Sequence, residues 1–325
     1  MKNYFFSLGI IGFGLLLGYL IQILSQKSNP IFSLNINSLR KTFQKIAVLI
    51  INPVTFIGAI WVVNLNDLKL IALPFIGITA LVLGGFIALL FSKMQNMNRG
   101  QTGAYIVAGG FTNIGSIGGL LCYIFLGEAG FALVSFYSLF ELISYYGFGF
   151  PIAKSYSSEV SIIERFRLRL KKLLLDPFML VAFGSISIGF FLNISGLKRP
   201  EFYESINTLF IPTGSVLLLT SIGMAMKFRQ IGKYIKEGML IALIKFLVVP
   251  IVATTLAYLV GLGKIDQGLP LKTVLILSSM PVGFIALIPP TIYDLDVDLA
   301  NAAWFVTNIS LLFVIPCLHY LITLF

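Results

Sequence analysis

Residues 105–125 read YIVAGGFTNIGSIGGLLCYIF, a run with no charge and enough length to cross a bilayer. It nevertheless holds five glycines, Gly109, Gly110, Gly115, Gly118 and Gly119, with Thr112 and Asn113 at its centre. A glycine inside a helix costs about 1 kcal/mol relative to alanine. In hydrocarbon a freed backbone group has no water to bond, so an interrupted helix is tolerated only where it lines a cavity or is buried in protein. The stretch predicts a helix that unwinds at mid-depth, which implies a cavity or a close crossing.

The surrounding chain sets the solvent. Of 325 residues 58% are hydrophobic and 11% charged, with a mean hydropathy of +0.95. Soluble domains carry about 25% charged residues, so this composition belongs in a membrane. The net charge of +10 comes from short basic runs between apolar segments. Such runs read as membrane-flanking loops, and no nucleic-acid partner is expected. Cys122 and Cys317 both lie in apolar runs, which points to packing and not to a disulfide frame or a metal site.

A spanning helix needs about 20 apolar residues. Ten windows of that kind occur, approximately 3–26, 46–66, 70–92, 101–127, 129–153, 177–197, 205–226, 238–263, 273–292 and 299–325. The alternating ten-residue segments of a membrane barrel are not seen, so the expected fold is all-α and integral to the membrane. The apolar part of the first window is longer than a signal peptide's and no cleavage site follows it, which makes it helix one.

The connection 154–176 reads as a helix lying on the cytoplasmic headgroups. Ser161 and Glu164 are spaced as a capping box, and apolar residues recur at helical spacing opposite Arg165, Arg169 and Lys172. It divides the chain into 1–153 and 177–325, five windows each. Sixteen of the lysines and arginines fall on the side of this connection and six on the other, with Lys245 inside a window. The larger group marks the cytoplasm, which places both termini outside it and the protein in the plasma (inner) membrane.

Because five is odd, the second half enters from the side opposite the first, which is the inverted repeat of secondary transporters. Span two contains NPVTFIGAI with Pro53, and its counterpart, span seven, contains IPTGSVLLL with Pro212. Span four has its break at Asn113, and span nine has SSMPVGFIALIPP with Ser278, Ser279, Pro281 and Gly283. Corresponding spans are expected to be interrupted in both halves.

Phe111 to Leu142, FTNIGSIGGLLCYIFLGEAGFALVSFYSLFEL, resembles the fourth and fifth spans of the auxin efflux carrier family, with an Asn-x-Gly core followed by small residues and a Gly-Glu turn. Ser278 to Pro316 is similar to that family's last two spans, and INPVTFIGAI and KFLVVPIV also fit. The likeness covers nearly the whole chain in layout, as a short bacterial-type member. Where the family has a proline a few residues after the Asn, this chain has Gly119 and Leu120. The resemblance implies ten transmembrane helices in two inverted five-helix repeats, like those of bile acid symporters and sodium/proton antiporters. It also implies broken helices four and nine that cross at mid-membrane, elevator-type alternating access, and a small organic anion such as a carboxylate or an auxin-like acid.

Helix chemistry points the same way. The second halves of spans four and nine would aim N-terminal ends, each with unpaired N–H groups and about half a positive charge, at the midplane. Such ends suit an anion. Expected donors are the amides around Ser116 to Gly118 and Val282 to Phe284, with Gly115, Pro281 and Gly283 shaping the backbone. Side-chain contacts are expected from Thr112, Asn113, Ser278 and Ser279, and from Asn52 and Thr55 beside Pro53. For each serine and threonine, a back-bond to its own helix is the competing reading. Glu141, near mid-depth in span five, is a candidate for coupling, supported by Tyr145 one turn on. Lys245 is a weaker candidate, placed where its stem can snorkel to the headgroups. No nucleophile and base pair, phosphate loop or metal-ligand cluster appears, so neither an enzyme nor a cofactor is expected. The alternatives are a sodium- or proton-coupled symporter or antiporter of the same fold, and a non-transporting membrane sensor. Expected partners are the anion, the lipid bilayer and a second copy in a homodimer.

Overall fold

A computed structural model describes residues 2–27, 35–157, 175–226 and 231–324. The predicted headgroup helix falls largely outside these residues, including its capping box. Everything described is helical apart from turns and one isolated antiparallel bridge between Thr112 and Val282. Fifteen α-helices are numbered in order: α1 (Lys2–Lys27), α2 (Ile36–Ile46), α3 (Asn52–Val62), α4 (Ala72–Met94), α5 (Arg99–Gly110), α6 (Gly119–Tyr137), α7 (Glu141–Ile143), α8 (Phe150–Ser155), α9 (Pro177–Ile194), α10 (Phe202–Gly223), α11 (Ile235–Leu243), α12 (Val249–Val260), α13 (Leu269–Ser278), α14 (Ile288–Ile292) and α15 (Val297–Thr323).

Among the described residues eight helical stretches are long and apolar enough to cross a membrane. With the composition, they make the chain an integral membrane protein. The predicted spans four and nine do not appear as continuous helices. Their first parts, α5 and α13, have 12 and 10 residues, too short to cross alone at about 1.5 Å per residue. The stretch Ile114–Ser155 runs 42 residues, but Gly127 interrupts it with φ 71 and ψ −165, a conformation open to glycine and strained for other residues.

Prolines widen helices here more often than they break them. Three stretches of π-helix, Ala47–Ile51, Ser144–Gly149 and Ile244–Val248, each lead into an α-helix with proline in its first turn. Pro53, Pro151 and Pro250 lack an N–H and their rings press on the preceding turn, and a wider turn relieves both problems. Span two is therefore a continuous helix of 27 residues from Ile36 to Val62. It begins ten residues before the apolar window because Asn35 caps Ser38 at 3.1 Å. Span seven is also unbroken, with Pro212 inside α10. The expected interruption of spans two and seven does not occur.

The chain packs as two compact units. The first comprises Met1–Asn64, Gly115–Ser135 and Leu180–Lys227, and the second Leu65–Ile114, Phe136–Met179 and Phe228–Phe325. Each unit thus draws on both halves of the sequence.

In the first unit, α1 and α10 cross at Gly18 and Gly223. A Cβ on Gly18 would stand 2.0 Å from the Thr220 carbonyl oxygen, and one on Gly223 2.2 Å from that of Leu15. Small residues let helix backbones approach where lipid supplies no hydrophobic drive. The last turn of α3 ends on a side chain from another helix: the Asn193 amide lies 2.8–3.0 Å from the carbonyls of Ile60, Trp61 and Val63. Arg199 pairs with Glu128 and donates to the Gly58 carbonyl at 2.9 Å, which ties the connection before α10 to α3 and α6.

In the second unit one glycine of the opening stretch, Gly109, finds its use. A Cβ on Gly109 would meet the Ala88 Cβ and the Gly84 carbonyl oxygen, both at 2.5 Å, and one on Gly84 would meet the Gly109 oxygen at 2.3 Å. Glycine is therefore required there for α4 and α5 to touch. The start of α5 carries a full capping box between Asn98 and Gln101. Asp296 caps α15 by accepting from the Leu299 amide at 2.9 Å and also accepts from the Tyr234 hydroxyl at 2.6 Å. It thereby ties the start of that helix to Tyr234.

Candidate functional site

The site is built where two helices stop. α5 ends at Gly110, and Phe111, Thr112 and Asn113 run extended before the chain winds up again at Ile114. α13 ends at Ser278, and Met280 to Gly283 are non-helical before a 3₁₀ turn, Phe284–Leu287. The two open segments pair in antiparallel fashion. The Asn113 amide donates to the Pro281 carbonyl at 2.9 Å, and the Gly283 amide donates to the Phe111 carbonyl at 3.0 Å. This pairing solves the problem set by the glycines, because each interrupted segment satisfies the backbone of the other. A Cβ on Gly283 would lie 2.8 Å from the Thr112 oxygen, so the close approach depends on glycine even though its φ of −71 suits any residue.

All the predicted crossing residues are buried here: Thr112, Asn113, Ser278, Ser279, Pro281 and Gly283. Their hydrogen bonds differ from the expectation in several places. Ser278 donates to the Val274 carbonyl at 2.7 Å and Ser279 to the Leu275 carbonyl at 2.7 Å, so both hydroxyls turn back onto α13. The Val282 amide, expected to face a ligand, donates to the Thr307 hydroxyl of α15 at 3.2 Å. The Gly283 amide is spent on the pairing. Thr55, in the first unit, also back-bonds, to the Asn52 carbonyl at 3.0 Å. Gly115 is exposed, with nothing within 4 Å of where its Cβ would be. Open space therefore flanks the first turn of the helix that resumes after Asn113, while Ser116 in the same turn is buried.

Three coupling candidates converge on Thr112. The Tyr145 hydroxyl lies 2.8 Å from Glu141 Oε1 and accepts from the Thr112 amide at 2.9 Å. It is also 3.1 Å from the Thr112 carbonyl oxygen. From the other side, Lys245 Nζ donates to the Thr112 hydroxyl at 2.6 Å. Lys245 is 1% exposed, so it does not snorkel. The widened turn Ile244–Val248 ahead of Pro250 holds it in the interior, and π-turns often mark functional positions. The crossing therefore has a carboxylate and an ammonium within reach, although neither lies on the broken helices themselves.

Two participants are not evident in the sequence. Thr307 reads as an ordinary polar residue of span ten, yet it is fully buried and receives the Val282 amide. Phe111 supplies a carbonyl to the pairing, and its ring lies 4.2 Å from that of Tyr145 and 6.0 Å from that of Phe150. Those rings pack Phe111 in apolar surroundings.

No protein-family model matches the chain. Over 303 residues it is 23% identical to an uncharacterized transporter of Methanothermobacter thermautotrophicus, covering 93% of this chain and 92% of the relative. It is 26% identical over 251 residues to an uncharacterized transporter of Methanocaldococcus jannaschii, covering 74% of this chain and 73% of the relative.

Proposed function

We propose that this integral membrane protein is a secondary transporter that moves a small organic anion, such as a carboxylate or an auxin-like acid, by alternating access at the crossing of spans four and nine. The observation that carries the reading is the antiparallel pairing of Thr112 and Val282 between two interrupted helices. Broken membrane helices that meet in this way mark binding sites in transporter folds. The near full-length similarity to two proteins named as transporters supports the same reading. Open space at Gly115, beside the amides of a helix start, is chemically suited to a carboxylate.

In this reading the chain makes ten passes, with α5 and the helix after Asn113 forming span four and α13 with the turns after it forming span nine. The two halves are inverted repeats of the auxin efflux carrier type. Their interleaving in both compact units is consistent with two repeats that exchange elements. The unit that holds the crossing is the moving body of an elevator, both termini lie outside the cytoplasm of the plasma membrane, and the protein is a homodimer. Asn113, beside the pairing, is the substrate contact, and Glu141 with Tyr145 and Lys245 is the coupling element.

The test is uptake of labelled carboxylates and indole acids into proteoliposomes, with and without a proton or sodium gradient. Asn113→Ala is expected to lower uptake at least tenfold while leaving thermal unfolding within a few degrees of wild type. Normal transport of every active substrate by that variant overturns the site, and failure of any anion to bind or move overturns the function.

A further inference from the structure

We infer that Lys245 is a built-in cation of the crossing, a tethered ammonium that fills the place where a bound sodium ion would otherwise balance the local negative charge. Its meaning for transport rests on the proposed function, but the charge assignment stands on geometry alone.

A cation taken this far out of water needs compensation, since an unbalanced buried charge costs several kcal/mol. Two sources of negative charge face Lys245. The first is the carbonyl end of α5, because Thr112, whose hydroxyl receives the ammonium at 2.6 Å, stands two residues past the last helical position. Helix C-termini carry about half a negative charge. The second is Glu141, held toward the same residue by the Tyr145 hydroxyl at 2.8 Å. Hydroxyl, carbonyl and carboxylate oxygens are also the ligands that hard metal cations take. Here an ammonium carried on a widened turn reaches one of them directly, the Thr112 hydroxyl.

The arrangement balances charge without a continuous proton path between Glu141 and Lys245. Thr112 meets Lys245 with its hydroxyl and Tyr145 with its amide N–H. A backbone amide does not pass a proton along, so the path from Glu141 to Lys245 is interrupted at Thr112. One positive and one negative group on either side of the same residue leave the crossing locally neutral without a metal ion.

Thermal unfolding of the purified protein in detergent, in sodium chloride and in choline chloride at equal ionic strength, tests this without any substrate. Wild type is expected to unfold at the same temperature in both salts. Lys245→Ser, which opens space among the oxygens, is expected to unfold several degrees lower in choline and to regain most of the loss in sodium. Lys245→Met is expected to lose stability in both salts, and Glu141→Gln in the same chain is expected to restore it. A sodium-specific rise in wild type, no sodium response in Lys245→Ser, or no restoration by Glu141→Gln overturns the assignment. Should Lys245→Ser fail to fold in either salt, the Lys245→Met pair decides. Because the readout is stability, these shifts in a protein that moves no anion would overturn the transport reading and leave the built-in cation standing.

Discussion

Pro212 and Pro281 both fall in the middle of predicted spans, yet the chain treats them in opposite ways. Around Pro212 the helix α10 runs on from Phe202 to Gly223. Around Pro281 the helix stops, and four residues are non-helical. The missing N–H and ring clash are the same in both, so proline alone does not decide. At 281 a second open segment lies alongside, and the freed groups pair across: the Pro281 carbonyl accepts from the Asn113 amide and the Phe111 carbonyl accepts from the Gly283 amide. At 212 no such segment is seen among the described residues, and continuing the helix leaves fewer backbone groups exposed to lipid. A break in a membrane helix is thus a property of two segments, and this pairing is where the comparison is most easily tested.

Gly283→Val attacks it most directly. The added Cβ would stand 2.8 Å from the Thr112 backbone oxygen, and that oxygen is main chain of the paired segment and cannot swing aside as a side chain would. Overpacking costs about 1–3 kcal/mol, and each of the two buried hydrogen bonds lost leaves groups unpaired at about 1–3 kcal/mol. Loss of all uptake and a drop in unfolding temperature of about ten degrees or more are expected. A variant that unfolds like wild type would show that the pairing does not hold the crossing together. Alanine at Gly115, where nothing lies within 4 Å, is the control that does not lower stability.

Thr307→Val isolates one hydrogen bond of the crossing. Valine matches threonine in shape but leaves the Val282 amide, 3.2 Å from the hydroxyl, without its acceptor. The expected loss is about 1–3 kcal/mol, read as an intermediate fall in unfolding temperature, with Thr307→Ser close to wild type. Equal stability of the valine and serine variants would show that the amide finds another acceptor.

Much of this was legible in the sequence for a physical reason. Length and polarity report directly on hydrocarbon, so the long apolar helices were readable. Glycines grouped around Thr112 and Asn113 would only weaken a spanning helix in lipid unless it opens there. The second partner was readable for the same reason in SSMPVG. What the pattern does not encode is where a flexible donor ends. Lys245 has a stem long enough for the headgroups or for Thr112, and only the widened turn before Pro250 decides for Thr112. Likewise a π-turn and a break both appear in sequence as a mid-span proline, which is why spans two and seven were expected to be interrupted and are not. The hydroxyls of Ser278 and Ser279 are equally ambiguous until the carbonyls of Val274 and Leu275 are seen to receive them.

The smallest effect separates the two prolines themselves. Pro212→Ala returns an N–H to a continuous helix at a partly exposed position. The helix already runs unbroken through the proline, so a gain of about 1 kcal/mol or less is expected, below the roughly 3 kcal/mol seen in isolated helices. Pro281→Ala has the opposite sign, because the ring's fixed φ restricts the unfolded chain at a position that is not helical, and losing that restriction costs about 0.4–1 kcal/mol. Thermal unfolding of the two variants side by side measures the difference. If both were stabilised, the chain at 281 would be ready to close into a helix, and the pairing with Asn113 would be a consequence of the proline and not its reason.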